Sequence, residues 1–110
     1  MKGMADIEPG VCGFSAKVVA ECADEQNVRF SIDSPCEKVC AWALELGGQG
    51  EVDAWAEVGG TAGIVLGTAQ KHLKGCCSAC AVPMGAFKAM QVAAGLALPK
   101  DVGIKLKVEE

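Results

Sequence analysis

The sequence predicts an α+β fold: a small, mostly antiparallel three-stranded sheet, made of a β-hairpin and a C-terminal strand, with three to four helices packed on one face. Three observations predict it. Segments near both ends alternate apolar and polar residues, as half-buried strands do. The middle of the chain switches to a helical period. Glycine and proline stand at the switches, where they punctuate structure.

Residues 11–22 form the expected first strand. Cys12, Phe14, Ala16, Val18, Ala20 and Cys22 fall on one face, and Gly13, Ser15, Lys17 and Glu21 on the other. A polar turn over 23–27 follows. Val28, Phe30 and Ile32 then alternate with Arg29, Ser31 and Asp33, which completes a hairpin. Near the C-terminus Val102, Ile104, Leu106 and Val108 alternate with Gly103, Lys105 and Lys107 and give the expected third strand. One covered and one wet face mark an antiparallel sheet.

Between these strands, Cys36, Val39, Cys40, Ala43 and Leu44 make an apolar stripe that Gly47 and Gly48 end. Ser34, Pro35, Cys36 and Glu37 spell S-x-x-E, a capping box with proline at the first helical position, so Ser34 and Glu37 are capping residues. Residues 50–60 are ambiguous and hold one or two helical turns. A helix is expected over 61–74, with Ile64, Val65, Ala69 and Leu73 inward and Gly75 as its stop. Another is expected over 83–94, with Met84, Phe87 and Met90 apolar. Residues 98–101 turn into the last strand.

The 110 residues fit one domain, 1–110, and half of them are apolar, enough for a core. A net charge of −4 argues against nucleic acid, which needs a Lys/Arg patch, and offers no polybasic attachment to a membrane. The first ten residues lack the apolar run of a secretory signal, and no window approaches a membrane span of about 20 residues. A cytoplasmic location is the expectation. In a reducing compartment, seven cysteines point to metal or redox chemistry rather than to a disulfide framework.

The cysteines are not scattered at random. Cys36 sits in the first turn of a helix, among unpaired N–H groups that favour negative sulfur. Folding the hairpin about Asp24 and Glu25 brings Cys12, on the covered face, close to Cys36, and leaves Cys22 at the far end as a bystander. Cys76, Cys77 and Cys80 occupy a short connection between two helices, and Cys77-Ser-Ala-Cys80 is a C-x-x-C whose second sulfur precedes a helix start. Cys12, Cys36, Cys77 and Cys80 are therefore the expected ligands of zinc or an iron–sulfur cluster, with Cys76 as an additional candidate. Lys38, Lys71 and Lys74 can offset the charge. Cys40 is assigned to the core, Trp42 and Trp55 to core or contact, and His72 to a solvated or capping role.

The stretches PGVCGFSAKV, SIDSPCEKV and CSACAVPMGAFKAMQVAAGLALPKDVGIKLK resemble a family of small cytoplasmic proteins of unknown function, many from anaerobic microbes. Its pattern is C-G-F near the start, C-E at a helix start, and C-x-V-P leading to a helix and an A-L-P-K-D turn. The elements fall on Cys12, on Cys36 with Glu37, and on Cys80 with Pro83; the resemblance is weakest over 47–67. It implies no activity. Cys76 and Cys77 stand outside the pattern, so three sulfurs plus an outside ligand is a variant of the site.

Three readings follow. The first is a binding module holding zinc or an iron–sulfur cluster. The second is a dithiol redox protein using Cys77 and Cys80, with Cys36 as a thiolate partner. The third is a structural or interaction domain in which the cysteines pack without metal. A protein partner and a homodimer stay open under each, because a small sheet leaves edges that invite pairing.

Overall fold

The hairpin foreseen in the sequence forms the middle of the sheet. The computed structural model describes residues 1–60 and 63–110. Its elements run β1 (Lys2–Ile7), β2 (Ala16–Cys22), β3 (Asn27–Asp33), α1 (Glu37–Gly48), β4 (Val52–Asp53), α2 (Ala54–Gly59), α3 (Ile64–His72), a 3₁₀ turn (Gly75–Cys77) and α4 (Ala81–Ala93). The sheet is antiparallel throughout, in the order β1-β2-β3-β4. Strands β2 and β3 pair from Lys17 opposite Asp33 to Cys22 opposite Val28. The Asp24 carboxylate closes their turn by accepting from the Asn27 and Gln26 N–H groups at 2.8 and 3.0 Å, and these bonds hold it far below the usual carboxylate range.

The first strand is shorter than the alternation suggests. It begins at Ala16, because Gly10 and Gly13 take φ of 99° and 71° and turn the chain between them. Cys12 and Phe14 therefore leave the covered face and are exposed, whereas Ala16, Val18, Ala20 and Cys22 are buried as expected.

The sheet has four strands rather than three, and the C-terminal segment is not among them. Val102, Ile104, Leu106 and Val108 are 57–91% exposed and belong to no strand. Alternation makes a segment fit for a strand; it does not supply a neighbour to pair with. The outer place beside β2 belongs to β1, paired from Lys2 opposite Glu21 to Ile7 opposite Ala16. Its helix-facing residues are Gly3, Ala5 and Ile7, and the first two are too small to register as an apolar stripe. They are small because α4 lies directly on them: a Cβ at Gly3 would collide with the Ala89 carbonyl, and one at Gly85 would meet the Ile7 side chain at 2.6 Å.

One layer of helices covers this sheet. Helix α4 packs on β1 and β2, α1 packs on β3, and α3 packs against both helices. The buried stripe of α1 is Val39, Trp42 and Leu46, not the Cys40 and Leu44 side, which is exposed. The bulk of Trp42 selects the face. Its indole Nε1 donates to Val65 O at 3.2 Å and to Thr68 Oγ1 at 3.0 Å, tying α1 to α3. Trp55 is instead 56% exposed and donates to Glu25 O at 2.9 Å. Of the expected methionine stripe on α4, Met90 is buried, Phe87 half-buried and Met84 exposed. No helix among the described residues is long and apolar enough to cross a membrane.

The ambiguous stretch resolves into β4 and α2, with Asp53 as cap, accepting from Trp55 and Ala56 N–H groups. Helix α3 is described from Ile64, and Thr61 and Ala62 of the expected 61–74 helix lie outside the described residues. Its N-cap, Gly63, has no side chain to offer. The buried Glu57 carboxylate does that work from α2, accepting from Ile64 N at 2.9 Å and Val65 N at 2.6 Å, and it occupies the space a Cβ at Gly63 would need. Glu57→Ala strands two N–H groups inside the protein. Urea unfolding should show a loss of about 1–3 kcal/mol; an unchanged midpoint contradicts this cap.

Candidate thiolate site

The pairing register decides which cysteines can meet. Ile7, Ala16 and Asp33 lie at one end of the sheet, since Ile7 faces Ala16 and Lys17 faces Asp33. Cys12 precedes Ala16 by one turn, and Cys36 follows Asp33 closely. Helix α4 runs antiparallel to β1, with Gly85 over Ile7 and Ala89 and Ala93 over Gly3. Its first turn, which Cys80 opens, is thus at that same end. Cys22 faces Val28 at the other end, buried, with its Sγ 3.7 Å from Asp24 Oδ1, and takes no part.

Cys36 and Cys80 occupy equivalent places. Each is a helix N-cap with extended backbone, at ψ of 122° before α1 and 133° before α4. The capping box expected from Ser34 and Glu37 does not form: the helix starts later, Cys36 is the N-cap, and no side chain caps α1. Ser34 Oγ accepts the Cys36 N–H at 3.2 Å, and Pro35 lies before the helix, which starts at Glu37. Each places a cysteine at a helix start, where unpaired N–H groups and the dipole favour negative charge.

Burial pushes the Cys80 thiol up from its ordinary value, the Val82 N–H works the other way, and the charges of Cys12, Cys36 and Cys77 push it up further. The pairing register and helix α4 bring the Cys12 turn, Cys36 and Cys80 to one end of the sheet, and the Cys80 N–H donates to Cys77 O at 3.1 Å there. Cys36, Cys77 and Cys80 are half-buried there against the core, and Cys12 lies on the solvent side. Lys38, in the first turn of α1, stands with Nζ 3.6 Å from Cys77 Sγ. All seven cysteines are free thiols. Among the described residues, no three His, Cys, Asp or Glu side chains already surround a single point as metal ligands.

The other candidates separate. Cys76 is exposed beside Cys77 in the 3₁₀ turn. Cys40 is exposed rather than in the core, with its thiol donating to Ser34 O at 3.1 Å. Lys71 and His72 turn away and bind Glu45, at 2.8 and 3.0 Å, which lowers that carboxyl. The sequence carried no signal for the Val82 N–H or for the outward turn of Cys40.

Because the folded state holds the Cys80 proton more tightly than the unfolded chain does, the metal-free protein loses stability as pH rises beyond the ordinary thiol range. The same shift orders reactivity. At neutral pH Cys80 should alkylate more slowly than exposed Cys76, and Cys12→Ser or Cys36→Ser should move its titration downward. Peptide-resolved iodoacetamide labelling across pH measures both; equal rates at Cys76 and Cys80, unmoved by either substitution, would contradict the shared locus.

Comparison with known proteins adds a family and no activity. No curated protein and no solved structure matches the chain. A family model described as a family of unknown function, DUF6951, matches residues 4–106, from β1 into the C-terminal segment, and the chain belongs to that family.

Proposed function

We propose that the protein is a small cytoplasmic metal-binding module in which Cys12, Cys36, Cys77 and Cys80 hold zinc or an iron–sulfur cluster. The observation that carries this reading is the meeting of two helix starts, opened by Cys36 and Cys80, at one end of the sheet, with Cys77 accepting the Cys80 N–H through its backbone and lying beside Lys38 of α1. Four thiolates suit a tetrahedral zinc or the irons of a cluster, and both are soft, thiophilic centres. Binding replaces the mutual repulsion of the sulfurs with attraction to the metal and releases the Cys80 proton, so affinity rises with pH. The net negative charge of such a centre is offset by the N-termini of α1 and α4 and by the Lys38 ammonium. Cys76 is the substitute ligand if Cys77 is lost.

Elemental analysis and an absorption spectrum on protein purified without oxygen test the proposal. Zinc, or iron with sulfide and visible absorbance, is expected at one centre per chain. Cys36→Ser and Cys80→Ser should each lose most of the metal, while Cys22→Ser keeps it. Protein free of zinc and iron under those conditions, and unable to take up either, would refute the reading.

A dithiol redox protein is the second reading. Its support is the placement of Lys38 beside Cys77 in the C-x-x-C. The raised Cys80 thiol weighs against it, because a resolving thiol held protonated attacks slowly. In that case a reversible Cys77–Cys80 disulfide forms with glutathione buffers, and metal content is nil.

A further inference from the structure

The C-terminal segment has the pattern of a strand and no strand beside it. Residues 98–110 are exposed throughout, and Leu98, Ile104, Leu106 and Val108 leave 87, 72, 91 and 84% of their surface in water. The molecule extends 49 Å along one axis, against 27 and 25 Å along the others. At the same time β1 is an edge strand. Among the described residues it pairs only with β2, and its outer backbone groups are free along all of Lys2–Ile7.

We propose that this segment pairs with the open edge of β1 in a second copy of the chain, and that the two copies exchange strands about a twofold axis. An antiparallel register satisfies both the charges and the apolar pattern. With Ile104 opposite Ile7 and Glu109 opposite Lys2, Lys105 meets Asp6 and Glu109 meets Lys2, a pair of opposite charges at each. The same register sets Ile104, Leu106 and Val108 beside Ile7, Ala5 and Gly3, which continues the helix-facing side of the sheet. Met84, 55% exposed on α4 next to the Gly85 that covers Ile7, is the apolar neighbour for Ile104. Slipping the pairing by one residue would turn the apolar row to the wet face.

The direction of the chain favours a second copy over the same one. Helix α4 ends over Gly3, so the segment leaves at the Lys2 end of its own β1. Running along that edge it would lie parallel, unlike every pair in this sheet. Twofold exchange supplies the antiparallel direction, and the interface is isologous and closed.

Sedimentation analysis of the full chain, with reductant and chelator present so that neither disulfide nor metal joins copies, tests this. Particles of twice 11.3 kDa are expected at high protein concentration. Ile104→Pro with Leu106→Pro should give the 11.3 kDa monomer with an unchanged circular dichroism spectrum of the ordered core. Lys105→Asp removes the pair with Asp6 at both symmetric contacts and should weaken the dimer by up to about thirtyfold, and Asp6→Lys in the same chain should restore it. A wild-type monomer at every concentration overturns the proposal, whether its tail amides exchange freely or are protected by docking on their own sheet. So does a proline variant that stays dimeric.

Discussion

The antiparallel pairing of β1, β2 and β3 is the constraint on which the site depends. Each pairing sends the chain back to where it came from, so the turn before β2 and the exit from β3 open at one end. Helix α4, laid antiparallel along β1, brings its own start to that end. Three segments far apart in sequence are thus delivered to one corner by backbone hydrogen bonds and by the small residues Gly3 and Gly85. Nothing in the cysteines themselves is needed to assemble the corner.

What the corner contains follows from what starts there. Helix beginnings leave N–H groups unpaired, and serine, threonine, aspartate or asparagine ordinarily satisfies them. This chain puts sulfur at two of them, Cys36 and Cys80. Sulfur is a poor cap while protonated and a good partner for the dipole when negative. Half-burial and three neighbouring thiols make the charged form costly without a cation. Glu57 shows the conventional solution in the same protein, an oxygen cap borrowed from a neighbouring helix for α3.

Most of the central fold was legible in the sequence. The hairpin carries its alternation in Ala16, Val18, Ala20 and Cys22, and its turn in Asp24. The helices carry theirs, although the face of α1 was mistaken because Trp42 outweighs Cys40 and Leu44 in a stripe that periodicity alone leaves open. Strand β1 was missed for a physical reason: the closer a helix lies to a strand, the smaller the residues between them, and Gly3 and Ala5 give almost no apolar signal. Residues 102–108 were misplaced for the opposite reason, since their signal is strong and no strand among the described residues answers it. For the site, the joint placement of Cys12, Cys36 and Cys80 could be reasoned from the hairpin and the helix starts. The exposure of Cys12 could not, because it depends on the left-handed turns at Gly10 and Gly13.

The gathering of distant sulfurs is the central claim, and it can be measured without any metal. A short bis-maleimide, applied to dilute reduced protein and followed by peptide mapping, links only thiols that the fold holds near each other. Links joining Cys80 to Cys12, Cys36 and Cys77 are expected, with Cys22 left unlinked at the opposite end of β2. Links from Cys80 to Cys22, or none between Cys80 and either Cys12 or Cys36, would contradict the arrangement.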